Sequence, residues 1–351
     1  MVKGLRKSLI LSCVLALFLP SVASADMNVT RIAGSNRYET AMKVQQKYFT
    51  KASGNLAILS SGSDFRTALY GSYMANALKV PYYVIPNTGM SRVMFNELKS
   101  KQVNRTYIMG DYNTLNRSID NSLKSIGIKV SRFYDKYEDG CFNTIFSYID
   151  TPIFETFHHG EPRGDTSNGI IINDKKYSDL LSSIPFVSTL TREQATYLGS
   201  YQYFDSTSDF KLIIGGYSTV PSYVKTFPGD SMGLNIHSWD DENFDDENIF
   251  YTGRIAGQDR YKTAIEIAKA YKPVLKRSID TVVLVDGTNY PDALASGTVA
   301  TMNNGAILLT EPGKLNEDTK AFIQENNIQN VIIVGGEKSV SKNVENELRG
   351  L

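Results

Sequence analysis

One eleven-residue stretch occurs twice in this chain. It reads Arg254-Ile-Ala-Gly-Gln-Asp-Arg-Tyr-Lys-Thr-Ala264 and, nearer the N-terminus, Arg31-Ile-Ala-Gly-Ser-Asn-Arg-Tyr-Glu-Thr-Ala41. A match of this length within one chain indicates an internal repeat. Repeats change the interpretation of every other pattern, so they have to be established before the fold is considered.

The residues after Arg254 alternate between helical and strand patterns. Asp259 can cap a helix that begins at Arg260, and apolar residues at helical spacing give this helix one buried face. Further along, strands are predicted at 281–285, 306–310 and 331–334, and helices at 291–302, 315–326 and 341–349. Each predicted strand is a continuous apolar run, which is typical of parallel βαβ units with helices on both faces. One repeat is therefore predicted to be a three-layer α/β domain.

The same order of segments occurs in two further copies. In the first copy, residues 62–65 match 287–290; in the middle copy, 211–220 match 330–340 and 177–182 match 290–295. The middle copy is headed by Arg132, and we expect it to carry an insertion near 157–168 and a shortened second helix. The predicted organisation is a signal peptide at 1–25, repeats at 28–130, 131–227 and 253–351, and an acidic linker at 228–252.

The first 25 residues have the composition of a secretory signal peptide. A basic segment precedes an apolar run at 9–19, and Ala23-Ser24-Ala25 is a small-residue cleavage signal. The rest of the chain has one cysteine, Cys141, so it forms no internal disulfide, and it has no later stretch that would span a membrane. With 37 basic and 37 acidic residues the chain is not a general polycation, and we expect no nucleic-acid partner.

The repeated motifs resemble the cell-wall-binding repeat 2 modules of Gram-positive, especially clostridial, cell-wall and surface-layer proteins. The resemblance rests on the signature at Arg254, on Tyr-Pro-Asp-Ala-Leu-Ala-Ser at 290–296, on Ala-Ile-Leu-Leu-Thr at 306–310 and on Ile-Val-Gly-Gly at 333–336. It implies three Rossmann- or Toprim-like subdomains arranged as an intramolecular pseudo-trimer. It also implies a secreted protein that is anchored non-covalently to an anionic, teichoic-acid-like secondary polymer of the cell wall. Surface-layer proteins are a further partner to consider. The repeats fill the predicted mature chain, so we expect a minimal member without an effector domain.

A phosphate-bearing polymer requires guanidinium groups and backbone amides at concave points. The expected cationic contacts are Arg31, Arg37, Arg254 and Arg260. Sugar rings are expected to stack on Tyr38, Tyr261 or Tyr290, and sugar hydroxyls to hydrogen-bond with Asp179, Asp292 or Ser296.

For each of these residues a structural role is the alternative: Arg254 can pair with Asp292 within the fold, and Tyr261 can belong to the core. The copies also differ from one another. Cys141 replaces the second signature arginine of the middle copy, and Thr67 replaces Asp292 in the first copy. At least one of three pseudo-equivalent sites is therefore expected to be altered.

Two other function classes remain open. A secreted enzyme or modifier of wall polymers would need a nucleophile, a base and an orienting group in one cleft. The mature chain offers three histidines, one cysteine and no nucleophile-elbow motif, so we expect no enzyme. A soluble ligand scavenger would differ from a wall anchor in its localisation. No cofactor or metal site is expected, because the adjacent His158 and His159 lack further spaced ligands; calcium binding by the acidic linker is left open.

Overall fold

A computed structural model describes residues 27–133, 168–194, 196–204, 209–227, 236–241 and 249–351. The predicted signal peptide, Cys141, His158, His159 and most of the acidic linker lie outside these residues. The statements below concern the described residues.

The elements alternate as the sequence predicts. The strands are β1 Asn28–Ile32, β2 Leu56–Ser61, β3 Tyr82–Ile85, β4 Arg105–Met109, β5 Lys129–Phe133, β6 Gly169–Ile172, β7 Tyr197–Ser200, β8 Asp209–Phe210, β9 Leu212–Ile214, β10 Lys225–Thr226, β11 Ile236–Ser238, β12 Phe250–Ile255, β13 Thr281–Asp286, β14 Ala306–Thr310 and β15 Asn330–Val334. The helices are α1 Arg37–Tyr48, α2 Phe65–Leu78, α3 Arg92–Ser100, α4 Arg117–Ser125, α5 Tyr177–Gln194, α6 Arg260–Leu275, α7 Ser296–Met302, α8 Glu317–Glu325 and α9 Lys342–Arg349. Short 3₁₀ turns precede β2, follow β7 and, at Pro291–Ala295, lead into α7.

The signature builds the same local structure in both copies where it is complete. Asn36 accepts hydrogen bonds from the amides of Tyr38 and Glu39 at the start of α1, and Asp259 accepts one from Lys262 at the start of α6. Polar side chains at these positions satisfy amides that have no partner within the helix. The signature is therefore a strand, a capped turn and a helix, and its two arginines lie on the strand and on the first turn of the helix.

Three main sheets form, and every paired strand in them is parallel. Their orders are β3-β2-β4-β5, β7-β6-β9-β12-β11 and β14-β13-β15-β1. This confirms the α/β fold class. In each sheet the strand beside β4, β9 or β15 (β5, β12 or β1, respectively) heads another repeat; β5 and β1 are edge strands, and β11 lies outside β12. The heading strand of the first repeat therefore closes the sheet of the last one, with Asn28 opposite Asn330 and Ile32 opposite Val334.

Helices α2, α5 and α7 contact one another where the three repeats meet. A Cβ atom on Gly297 would come within 2.7 Å of Ile184, 2.8 Å of Ser72 and 3.0 Å of Asn76, so glycine allows the close approach of all three helices. The Tyr73 hydroxyl lies 2.8 Å from the Thr191 hydroxyl across the same interface. These contacts are compatible with the pseudo-trimer, which stays a prediction.

The expected shortening of the second helix in the middle copy is wrong. Helix α5 has 18 residues, whereas its counterpart α2 has 14. It continues through Pro185, although an internal proline removes one helical hydrogen bond. Residues Ser178–Thr191 of α5 are all buried, so tertiary packing offsets this loss. Within the described residues, no helix is long and apolar enough to cross a membrane.

Candidate functional site

The functional residues predicted from the sequence lie near the carboxyl ends of the parallel strands. In open α/β sheets this edge is where ligands bind, at the point where the strand order reverses. Strands β4, β9 and β15 are each followed there by a glycine with a left-handed backbone. The angle φ is 117° at Gly110, 115° at Gly215 and 125° at Gly335. A turn follows each glycine, and the arginine of the adjacent heading strand packs against it. We call these three places the first, second and third corners, after the repeat that supplies the glycine.

In the third corner the signature arginine is neutralised. Arg31 donates to the Glu345 carboxylate through Nε at 3.0 Å and Nη2 at 2.9 Å, and to the Gly335 carbonyl through Nη1 at 2.8 Å. Because β1 and α9 belong to opposite ends of the chain, this pair joins the first repeat to the last. Its charge and most of its donors are used within the fold.

The first corner repeats the arrangement. Arg132 forms a buried ion pair with Asp120 of α4 and donates to the carbonyls of Gly110 at 2.9 Å and Asp111 at 3.0 Å. Its guanidinium also lies 4.4 Å from the ring centre of Tyr112. Sequence reasoning marked Arg132 only as the head of the middle copy. The aligned carboxylates Asp120 and Glu345 were not identified at all.

The second corner differs because its arginine has no carboxylate partner among the described residues. Arg254 donates from Nη1 to the carbonyls of Gly215 at 2.7 Å and Val220 at 3.0 Å, and its guanidinium lies 4.3 Å from the ring centre of Tyr217. Burial lowers the pKa of Arg254, although the nearby Tyr217 acts in the opposite direction. The alternative in which Arg254 pairs with Asp292 is wrong. Arg254 binds the two carbonyls, and Asp292 accepts a hydrogen bond of 2.6 Å from Ser339.

The second arginine of each complete signature binds a backbone carbonyl rather than a carboxylate. Arg37 donates to the carbonyl of Gly62 at 2.5 Å, and Arg260 donates to that of Gly287 at 2.5 Å and to the Tyr177 hydroxyl at 3.0 Å. No described carboxylate forms an ion pair with either side chain, and Arg260 is exposed. Both arginines therefore keep a positive charge that an external anion can reach.

Three aromatic rings from equivalent positions of the three repeats meet beside these arginines. The ring centres of Phe65, Tyr177 and Tyr290 are separated by 6.1 Å, 5.5 Å and 6.0 Å. We call this group the axial cluster. The Tyr290 hydroxyl donates to the carbonyl of Ser63 at 3.3 Å, and the Tyr177 hydroxyl donates to that of Gly287, so each tyrosine joins its repeat to another. Burial raises the pKa of Tyr177, and the Arg260 charge acts against this.

The third junction of the axial cluster is closed by an ion pair. Phe65 has no hydroxyl, and its neighbour Arg66 binds Asp174 of the middle repeat with an Nη2–Oδ2 distance of 2.6 Å. The Asp174 side chain is fully buried and also accepts a hydrogen bond of 2.9 Å from Ser200. This junction is held by opposite charges, whereas a tyrosine hydroxyl bridges each of the other two.

The remaining predicted site residues have partners within the fold. Tyr38 and Tyr261 are half-buried and pack against the main core cluster, where they flank Gly62 and Gly287. Burial raises the pKa of Tyr261. Ser296 is fully buried and donates to the carbonyl of Ala293 at 2.6 Å. Asp179 is also buried, and burial raises the pKa of its carboxyl more than Ser178 lowers it.

No cluster of three or more His, Cys, Asp or Glu side chains suited to a metal ion occurs among the described residues. The histidines and the cysteine considered for catalysis lie outside the described residues, apart from His237. The candidate binding surfaces are thus the cationic side chains at the sheet edges and the aromatic rings of the axial cluster.

A model of the family described as "Cell wall binding domain 2 (CWB2)" matches residues 31–120 and 254–345, which together exceed half of the chain. The chain belongs to this family. The two matched regions begin at Arg31 and Arg254, the first residues of the two complete signatures, and they end at Asp120 and Glu345, the two carboxylates that neutralise corner arginines. Membership in CWB2 identifies the repeats as wall-binding modules and implies association with the cell wall.

Similar proteins include two from Bacillus subtilis strain 168. The N-acetylmuramoyl-L-alanine amidase LytC is 25% identical over 347 residues, covering 95% of this chain and 60% of LytC. The protein named amidase enhancer is 35% identical over 103 residues, covering 29% of this chain and 14% of that protein. This chain thus spans less than two thirds of either relative.

Among solved structures, Cwp6 and Cwp8 from Clostridium difficile share the fold. Cwp6 has a TM-score of 0.65 at 16% identity, covering 93% of this chain and 48% of Cwp6. Cwp8 has a TM-score of 0.68 at 14% identity, covering 93% of this chain and 52% of Cwp8. The likeness covers nearly the whole chain, including the middle repeat that the CWB2 model does not match.

Proposed function

We propose that this protein anchors non-covalently to an anionic, teichoic-acid-like secondary polymer of the Gram-positive cell wall, as a secreted, surface-layer-associated protein. Membership of the CWB2 family is the observation that carries the proposal. The polymer is the expected partner because guanidinium groups bind phosphate and carboxylate well.

The charges of the described residues support a division of labour among the arginines. Arg31, Arg66 and Arg132 each pair with a carboxylate and hold repeats together. Arg37, Arg254 and Arg260 bind only carbonyl, hydroxyl or aromatic groups among the described residues. We assign polymer binding to this second set. Of the residues predicted as ligand contacts, Arg31 and Ser296 are better explained by their structural contacts.

We further propose three wall-binding repeats, at 28–130, 131–227 and 253–351, joined by an acidic linker at 228–252 and arranged as a pseudo-trimer. One parallel sheet per repeat, closed by a strand from another repeat, supports this organisation. The axial cluster supports it as well, because equivalent positions of the three repeats meet there. Secretion through a signal peptide at 1–25 is part of the same proposal.

The test uses walls isolated from the producing organism, before and after acid extraction of the secondary polymer. We expect the mature protein to sediment with the intact walls and to remain in solution with the extracted ones. Salt should elute part of the bound protein, because exposed charge pairs are screened. Equal binding to both wall preparations would contradict the proposal.

The alternative is an enzyme or modifier acting on wall polymers, and the names of the two Bacillus relatives motivate it. The LytC similarity covers 95% of this chain, so it includes most of both CWB2 matches, and wall-binding repeats form a large part of what the two proteins share. Release of new amino termini or reducing ends from purified walls by the protein alone would favour the enzyme.

A further inference from the structure

The three corners have aligned residues of opposite charge at one position. Counted from the strand-ending glycines, Asp120, Lys225 and Glu345 occupy the same place in the gapless alignment of 110–120, 215–225 and 335–345. Asp120 neutralises Arg132 in the first corner, and Glu345 neutralises Arg31 in the third. The middle repeat has a lysine at this position, so the position supplies no carboxylate to Arg254.

Local structure changes at the same point. In the first and third repeats the carboxylate is presented by helices α4 and α9, whereas in the middle repeat Lys225 begins the short strand β10. Strand β10 pairs with β8 and contacts β12, the strand that contains Arg254. Lys225 is exposed, and the strand registers place it opposite Asp209, whereas Arg254 lies opposite Ile213. The second corner has thus lost the helix that covers this position in the other two.

An exposed aromatic ring completes the second corner. Tyr217 is 70% exposed and stacks against the Arg254 guanidinium. The aligned Tyr112 is only 37% exposed, because its ring contacts two guanidinium groups, those of Arg117 and Arg132, each at 4.4 Å. Ser222 takes the place of Arg117 in the middle repeat. The Tyr217 ring is therefore held by one cation and keeps surface for a second planar or ring-shaped partner.

We propose that Tyr217 and Arg254 form a subsite for one acidic sugar unit of the wall polymer, an inference that rests on the proposed wall-binding function. The sugar ring stacks on the exposed surface of Tyr217. Its phosphate or carboxylate is held by the positive charge of Arg254.

Physical chemistry favours this ligand class over a neutral sugar or a free anion. A half-buried arginine without a counter-charge gains from an anion more than a fully solvated one does, because water screens it less. Aromatic rings present large apolar area with little conformational entropy to lose, which suits the apolar face of a pyranose. Neither feature alone binds tightly, and a polymer that repeats the unit multiplies weak contacts.

The experiment compares Tyr217→Ala with its matched control Tyr112→Ala. The binding of each variant to intact and acid-extracted walls is measured by sedimentation over a range of protein concentrations. We expect Tyr217→Ala to bind intact walls about tenfold more weakly, as for loss of an aromatic contact at the centre of an interface. Tyr112→Ala should bind like the unmodified protein, because its ring is already occupied.

The outcomes separate this inference from the proposed function. If the unmodified protein does not distinguish intact from extracted walls, wall-polymer anchoring itself fails. If it does distinguish them, but Tyr217→Ala binds normally or Tyr112→Ala loses as much, the second corner is not a subsite and anchoring stands. Loss in Tyr217→Ala with retention in Tyr112→Ala supports the subsite.

Discussion

Replacing Glu345 with glutamine should weaken the contact between the first and the last repeat, and the structure gives the size of the effect. The Glu345 side chain is 6% exposed and forms ion pairs with Arg31 at 2.9 Å and with Lys342 and Arg349 at 3.0 Å each. Burial alone would raise the pKa of this carboxyl. The hydrogen bonds from Lys342, Arg349 and Arg31 outweigh burial and lower the pKa to about 2.

A folded-state pKa of about 2, against an ordinary value of 4.5, corresponds to about 3 kcal/mol of stability at neutral pH. Lys342 and Arg349 are half exposed, so solvent screening reduces this figure to about 2 kcal/mol. The folded pKa is lowered, so the stabilisation is present above pH 4.5 and is lost as the pH falls towards 2. Glu345→Gln removes the titrating group and with it this pH dependence.

Urea unfolding followed by circular dichroism, at pH 7 and at pH 3, measures the difference. We expect Glu345→Gln to lower the free energy of unfolding by about 2 kcal/mol at pH 7 and by less than half of that at pH 3. Glu337→Gln is the matched control: Glu337 is exposed in the same corner and forms no ion pair with the described residues. A loss that is equal at both pH values, or one that the control shares, would refute the ion-pair explanation.

Three further changes test other parts of the fold. Asp174→Asn removes the fully buried carboxylate that Arg66 binds and should lower the free energy of unfolding by about 3 kcal/mol in urea titrations; no change is expected if the pair is only a surface contact. Gly335→Ala should lower the unfolding midpoint by an amount equivalent to about 1–3 kcal/mol, because φ is 125° and the new Cβ would lie 3.1 Å from Ser339. Deleting residues 27–33 uncovers the edge of β15, so size-exclusion chromatography should show concentration-dependent association; a stable monomer would contradict the closing role of β1.

The order of strands and helices could be predicted from the sequence because it depends on local patterns. The apolar runs at 281–286 and 306–310 and the cap at Asp259 determine their own elements. The repeat also predicted the family, which the CWB2 match confirms. The heading strands β1, β5 and β12 were not predicted, and the length of α5 was misjudged. The near-complete burial of α5, which keeps it helical through Pro185, depends on tertiary packing and leaves no local pattern.

The partners of the heading strands could not be predicted in the same way. Residues 28–32 form a strand because they pair with β15, which lies about 300 residues further along the chain, and no local pattern shows this pairing. The arginine partners follow from that pairing. Arg31 meets Glu345 only because β1 lies beside β15, so an isolated repeat gives no reason to connect the two residues. For the same reason, the sequence did not show that Arg132 pairs with Asp120.

The candidate site was partly visible in the sequence. Alignment placed Phe65, Tyr177 and Tyr290 at equivalent positions, and the axial cluster follows once the repeats are arranged around one axis. Tyr217 was missed. Its signal was the lysine that takes the place of Asp120 and Glu345 in the gapless alignment, and this exchange has a meaning only once Arg254 is known to pack against Tyr217.

Arg260→Gln tests most directly the claim that the polymer is bound by arginines without a carboxylate partner among the described residues. Binding to intact and acid-extracted walls and the thermal unfolding midpoint are measured together. The control is Arg277→Gln, which makes the same charge change at an arginine that is paired with Glu193. We predict that Arg260→Gln loses about tenfold in affinity for intact walls, with nearly unchanged stability, while Arg277→Gln binds normally. Normal wall binding by Arg260→Gln together with a lower unfolding midpoint would contradict the account.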